Sequence, residues 1–180
     1  MELEVKEKTL IVPDLLWSCM KEFYKNLRWE NFTKEMRVKK YPWSFTHGDF
    51  YANNIMWIPD DDQCHVRILD WEMAGISLGP QELGRYVISH LDIYVHGLEV
   101  QQELVNTYYQ ELLLNNPSIR ETMSLELLWE MFVLGGLREW LWIVPILLRW
   151  NPDHTEFVLK KLDKFCEIHG VKPEDVGYME

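Results

Sequence analysis

Thr46-His47-Gly48-Asp49-Phe50-Tyr51-Ala52-Asn53-Asn54-Ile55-Met56 decides how this chain is read. It sets His47, Asp49 and Asn54 in the spacing His-x-Asp-x-x-x-x-Asn, with an apolar run of strand length at 54–58. Pro59-Asp60-Asp61-Asp62 follows and has the chemistry of a turn. Val66, Ile68 and Leu69 then read as a returning strand over 65–71, so the two runs predict a β-hairpin. At the matching hairpin end stands Ile68-Leu69-Asp70-Trp71-Glu72.

The spacing from Asp49 to Asn54 is that of the protein-kinase catalytic loop. There an Asp accepts the proton of the substrate hydroxyl, and an Asn five residues later binds magnesium. A tight loop before a strand lets the Asp point at the attacking hydroxyl while the Asn turns back toward the metal. Asp70, at the end of an apolar strand, stands where a kinase places the Asp that holds the magnesium bridging the β- and γ-phosphates. Given this chain's own use of His, Asp and Asn, the pattern arises by chance in roughly one such sequence in a hundred, and the strand context lowers that.

Thr46 to Met56 closely resembles the catalytic loop of the aminoglycoside phosphotransferase and choline kinase-like families, whose usual form is HGDxxxxN before an apolar strand. Ile68 to Gly75 resembles their metal-binding segment. Gly79-Pro80-Gln81-Glu82-Leu83-Gly84 resembles the turn that follows it, with Glu82 where an Asp is more usual. The resemblance implies Asp49 as catalytic base, Asn54 and Asp70 as magnesium ligands, and His47 as a brace of the loop. It places Trp71 where kinases pack the Phe after the metal Asp, and Glu72 behind the metal ligands. The implied cofactors are Mg2+ and ATP or GTP. The implied partner is a small-molecule hydroxyl acceptor of aminoglycoside, choline or sugar type.

Outward from this segment the chain turns helical. Residues 13 to about 38 predict one helix, since Pro13 suits a first turn and Leu16, Met20, Phe23, Tyr24 and Leu27 recur at helical spacing. Further helices are predicted at about 80–96, 98–114, 121–150 and 153–169, with Gly135-Gly136 and Pro145 as points where the third bends or splits. Gly75 and Gly79 read as loop. A small β element among many helices, without βαβ alternation, predicts a mainly helical α+β domain. It is similar in layout to a protein-kinase-like C-terminal lobe over 1–180: a leading helix in 1–42, the catalytic loop and hairpin in 43–72, and a helical subdomain in 73–180. Tyr108, Tyr109, Trp129, Trp140, Trp142 and Trp150 read as core at helical spacing. Asp92, Glu99, Glu130 and Glu139 read as a solvated helix face.

A complete kinase site also needs a Gly-rich loop and a strand Lys to grip the phosphates. No glycine precedes Gly48 and no early Lys sits in a suitable strand, so the nucleotide-gripping N-terminal lobe is expected to be absent. That predicts a truncated phosphotransferase with low activity alone, or one completed by a partner chain or by self-association. The alternative is a non-catalytic helical binding domain. The 29 acidic against 18 basic residues, net charge −11, disfavour nucleic-acid binding. Cys19, Cys64 and Cys166 are too sparse for a disulfide framework or zinc site. The N-terminus lacks an apolar signal core, and the apolar run Trp140 to Leu148 is short for a membrane span, so a cytoplasmic protein is expected.

Overall fold

The computed structural model describes residues 2–5, 8–60 and 63–179. A strand pair, β1 (Glu2–Val5) and β2 (Lys8–Ile11), leads into helices α1 (Asp14–Asn26) and α2 (Trp29–Lys39). Strand β3 (Ser44–Thr46), hairpin β4 (Ile55–Asp60) and β5 (Gln63–Ile68), and strand β6 (Gly75–Ser77) follow. The rest is helical: α3 (Gly79–His90), α4 (Leu98–Asn115), α5 (Leu125–Glu130), α6 (Gly136–Trp150), α7 (Pro152–His169) and α8 (Pro173–Val176). The strands pair antiparallel as β1–β2, β3–β6 and β4–β5. The mainly helical α+β class expected from sequence is therefore found.

The predicted hairpin is β4–β5, with Ile55 opposite Ile68 and Trp57 opposite Val66. Of the turn expected at 59–62, Pro59 and Asp60 instead end β4, opposite Cys64 and Gln63, and 61–62 lie outside the described residues. The loop expected at Gly75 is instead β6, which pairs Gly75 with Thr46 and so ties the segment after Asp70 to the strand before His47.

The leading segment departs from expectation twice. Glu2–Val5 and Lys8–Ile11 form a strand pair, with Leu3 opposite Leu10. The single helix expected over 13–38 breaks at Leu27-Arg28. The carbonyl of Asn26 accepts from Arg28 N at 2.8 Å and from Asn31 Nδ2 at 3.2 Å, and the buried Asn26 amide donates to Glu22 at 2.7 Å. Such local polar bonds compete with the helical ladder and end it. The break sends the two helices to different cores. Leu16, Cys19, Met20 and Phe23 of α1 join the main core, while Met36 of α2 packs with Tyr41, Leu78 and Met131.

The helix expected over 121–150 starts at Leu125, capped by Ser124, which accepts from Leu127 N at 3.2 Å. It runs through a π-helical turn at Met131–Gly135 into α6. This stretch, Leu125–Trp150, is long and apolar enough to cross a membrane by length and composition. Its Leu128, Phe132, Leu137, Leu141 and Val144 are buried in the main core against α1, α3 and α7. The glycine pair does not split it. Gly136 lies against Gly84 of α3 so closely that a Cβ on Gly136 would sit 2.6 Å from the Gly84 carbonyl carbon. Pro145 does not split it either. Proline cannot donate to the carbonyl one turn back, that of Leu141, and the Tyr24 hydroxyl donates to that carbonyl at 2.5 Å. Tyr24→Phe is expected to cost about 1–2 kcal/mol, because a half-buried carbonyl loses its donor. Urea denaturation of the two proteins measures it, and an unchanged midpoint would contradict this account of how the helix survives Pro145.

Candidate active site

The loop 46–54 is held from both sides. His47 is buried, and its Nε2 lies 2.7 Å from the Leu69 carbonyl while Asp49 N donates to its Nδ1 at 3.2 Å. An accepting Nδ1 and a carbonyl facing Nε2 assign the ring proton to Nε2. The Glu82 carboxylate of α3 accepts from His47 N at 2.8 Å and from Gly48 N. Gly48 has φ 80°, and a Cβ there would meet the Met73 carbonyl oxygen at 2.1 Å. Only glycine suits both the conformation and the contact. Trp71 completes the brace: it stacks on Phe45 at 5.9 Å, lies 4.7 Å from the His47 ring and donates from Nε1 to Ile68 O at 2.8 Å. Glu72, in the same 71–73 turn, is exposed and makes no hydrogen bond among the described residues.

The loop presents Asp49, whose side chain is 37% exposed against 10% for its partner Arg85. Asp49 Oδ1 accepts from Arg85 Nη2 at 3.2 Å. Asn54 Nδ2 donates to the Asp49 backbone carbonyl at 2.9 Å and to Oδ2 at 3.4 Å. The Asn54 amide is thus turned back along the loop, and its carbonyl oxygen has no protein donor among the described residues. Leu69 N donates to Asn54 O at 2.8 Å, so Asp70 comes next to the Asn54 end of the hairpin. Asp70 has φ 62°, a left-handed conformation that Asp tolerates better than most residues. Its exposed carboxylate makes no hydrogen bond or ion pair among the described residues.

Arg85 escapes sequence reasoning. It is buried on α3 one turn after Glu82, and the only hint is the register from the Gly79-Pro80 turn. Its guanidinium donates from Nη1 to Gly48 O at 2.9 Å and from Nε to Tyr51 OH at 3.0 Å, lies 4.4 Å from the Tyr51 ring centre and meets Glu139 Oε1 at 3.4 Å. Glu139 is therefore not the solvated residue expected; burial pushes its carboxyl up to about 7 against the pull of Arg85. Glu130 is likewise engaged, accepting from Tyr41 OH at 2.7 Å and Lys39 at 2.9 Å. The aromatic expectation holds for buried Trp140, while Tyr108, Tyr109 and Trp129 lie against the core half-buried; Trp142 and Trp150 are exposed.

The raised Glu139 pKa sets a pH dependence. The folded protein holds a proton on Glu139 between its free value of 4.5 and about 7, so this group's contribution to stability falls as pH rises through that window. Burial holds His169 down at about 4, so between about 4 and 6.5 it works in the opposite sense. The comparison is thus between the wild type and Glu139→Gln at each pH. The difference is expected to shift by roughly 2 kcal/mol from pH 5 to pH 8 in favour of the variant. Urea titrations check it, and a pH-independent difference would refute it.

Asp49 opens on a cleft of about 380 Å³ whose walls include Tyr51, Asn54, His90, Trp140 and Lys161. A larger cleft of about 510 Å³, beside α8, contains neither Asp49 nor Asn54. The model of the phosphotransferase enzyme family APH matches residues 13–110, just over half of the chain, from α1 through the loop, the hairpin and α3 into α4. No curated protein and no solved structure matches. The braced Asp49 loop lies within the matched residues, and the chain belongs to the phosphotransferase enzyme family of the aminoglycoside phosphotransferase type.

Proposed function

We propose that this chain takes part in moving the γ-phosphoryl group of ATP or GTP to a hydroxyl of a small molecule. Asp49 would orient that hydroxyl and take its proton. The hydroxyl oxygen forms the new bond to phosphorus as the bond to the β–γ bridging oxygen breaks and the nucleoside diphosphate leaves. The observation that carries this reading is that the Asp49 carboxylate opens on a cleft of small-molecule size while Asn54 and Asp70 share the adjoining hairpin end. In phosphoryl transfer the protein contributes mainly positioning and charge stabilisation. Arg85 and Asn54 supply the positioning here by fixing both oxygens of Asp49.

Asn54 and Asp70 fit magnesium. Both offer oxygens without protein donors among the described residues, and this ion is usually held by one or two protein oxygens with phosphates and water completing the shell. The described residues contain no group of three His, Cys, Asp or Glu side chains suited to a metal. A bound ion would neutralise phosphate charge.

With no glycine before Gly48, we take the Gly-rich grip on the phosphates to come from polypeptide outside residues 1–180. The exposed apolar side chains of Phe45, Trp57, Met73 and Ile76 beside the hairpin are a surface it would cover. Turnover by this chain alone is therefore expected to be very low. Robust ATP turnover that depends on magnesium and Asp70 would overturn that expectation.

Millimolar Mg–ATP is expected to raise the melting temperature of the chain, because a ligand of the folded state stabilises it. Asp70→Ala should abolish the rise. Asp49→Ala should retain it while abolishing phosphotransfer by any assembled enzyme. The absence of a rise in the wild type would favour a non-catalytic binding domain.

A further inference from the structure

The charge of the cleft beside Asp49 bears on the acceptor. Among the described residues that line it, Asp49 is the single carboxylate, and Arg85 already pairs with it. The other ionisable lining groups are His90, His154, Tyr51 and Lys161. Lys161 of α7 is only 6% exposed. Its Nζ donates to Ser89 O at 3.1 Å and to Leu91 O at 2.9 Å, at the end of α3. An ammonium carries three donors, so two carbonyls leave one N–H unassigned in a residue that walls the cleft. Asp92 acts on Lys161 from beyond ion-pair distance, and no carboxylate among the described residues pairs with it. Burial pulls its pKa down, as expected for an ammonium short of a counter-charge.

The aromatic walls are already engaged by the protein's own cations. Arg85 lies over Tyr51 at 4.4 Å and Lys161 over Phe157 at 5.1 Å. Trp140 is buried and donates to the Arg85 carbonyl. An aromatic cage for a quaternary ammonium needs open faces without a resident cation beside them, and several ammonium groups need carboxylates that this wall lacks.

We infer that the acceptor carries an anionic group, a carboxylate or a phosphate ester, seated against Lys161 while its hydroxyl meets Asp49. This rests on the phosphotransfer reading only for the hydroxyl's fate; the charge preference of the cleft stands by itself.

The test is calorimetric titration of the purified chain near pH 7 with four sugars that differ mainly in charge: glucuronate, glucose 6-phosphate, glucose and glucosamine. At least one anion is expected to bind about tenfold or more tighter than glucose, the gain of a charge-assisted hydrogen bond, with glucosamine weakest. Which anion binds tighter identifies carboxylate or phosphate. Lys161→Met and Lys161→Gln should each remove the preference for anions, and Gln keeps a donor for the two carbonyls if Met prevents folding. Glucosamine binding as tightly as the anions would overturn the inference. So would an anion preference that survives in a folded variant, or no binding by any of the four. The Mg–ATP melting shift is read separately. A shift with no anion preference sinks this inference and leaves phosphotransfer standing; an anion preference with no shift does the reverse.

Discussion

Arg85→Met is expected to lower stability by about 3–5 kcal/mol, the range for removing one partner of a buried charge network. The guanidinium satisfies Asp49, Glu139, the Gly48 carbonyl and the Tyr51 hydroxyl together. Methionine fills the volume and supplies none of these bonds. Glu139 is then buried beside no cation, and its carboxyl rises further above the usual range. Urea denaturation should show a lower midpoint with an unchanged slope, the sign of lost stability rather than of a changed unfolded state. Arg85→Lys should recover only part of the loss, because an ammonium keeps the charge without the planar fork. A loss below about 1 kcal/mol would mean that the cluster relaxes around the deletion and that Arg85 does not organise it.

Gly136→Ala is expected to destabilise by about 2–3 kcal/mol, against the usual rule. In an ordinary helix interior this exchange gains about 1 kcal/mol. Here the new methyl meets the backbone of α3 at 2.6 to 2.9 Å, and a backbone cannot step aside as a flexible side chain can. Gly84→Ala, which meets the Phe132 carbonyl oxygen at 2.1 Å, should behave alike. Gly97→Ala has nothing within 4 Å and loses only the N-cap preference at the start of α4, about 1 kcal/mol or less, so it serves as the control without a clash. Thermal melts of the three variants decide it. If Gly136→Ala melts no lower than Gly97→Ala, α3 and α6 do not cross on bare backbone.

These two sites mark where the sequence stops being legible. His47, Asp49, Asn54 and Asp70 were readable because their arrangement is local: a loop, a strand, a turn and a strand, with apolar runs to set the register. Glu82 entered only through the turn it resembles, and its bonds to two backbone amides required the fold. Arg85 lies 36 residues from Asp49 and Glu139 a further 54 along, so no periodicity links them. Glu139 looked solvated because a single acid on a helix usually is, and only the packing of α6 on α3 puts it against a guanidinium. Strand β6 has three residues and a glycine, too short to alternate. The break after Asn26 hides in an unbroken apolar stripe, since a buried amide that satisfies its own chain leaves no mark in hydrophobic spacing. Pro145 misled in the other direction, because the hydroxyl that rescues its turn comes from another helix.

The clamp on Gly48 has a consequence for how such a protein can change. Glu82 grips the loop from one side and the Met73 carbonyl closes on it from the other, so the segments bearing Asp49 and Asp70 form a single frame fastened to α3. Lys161 and Phe157 belong to α7, which reaches that frame through the end of α3. Substitutions on α7 can therefore redraw the wall of the cleft beside Asp49 while leaving the frame as it was. Under the proposed phosphotransfer, such a division would let a lineage exchange one acceptor for another in single steps, without passing through forms whose chemistry has been dismantled.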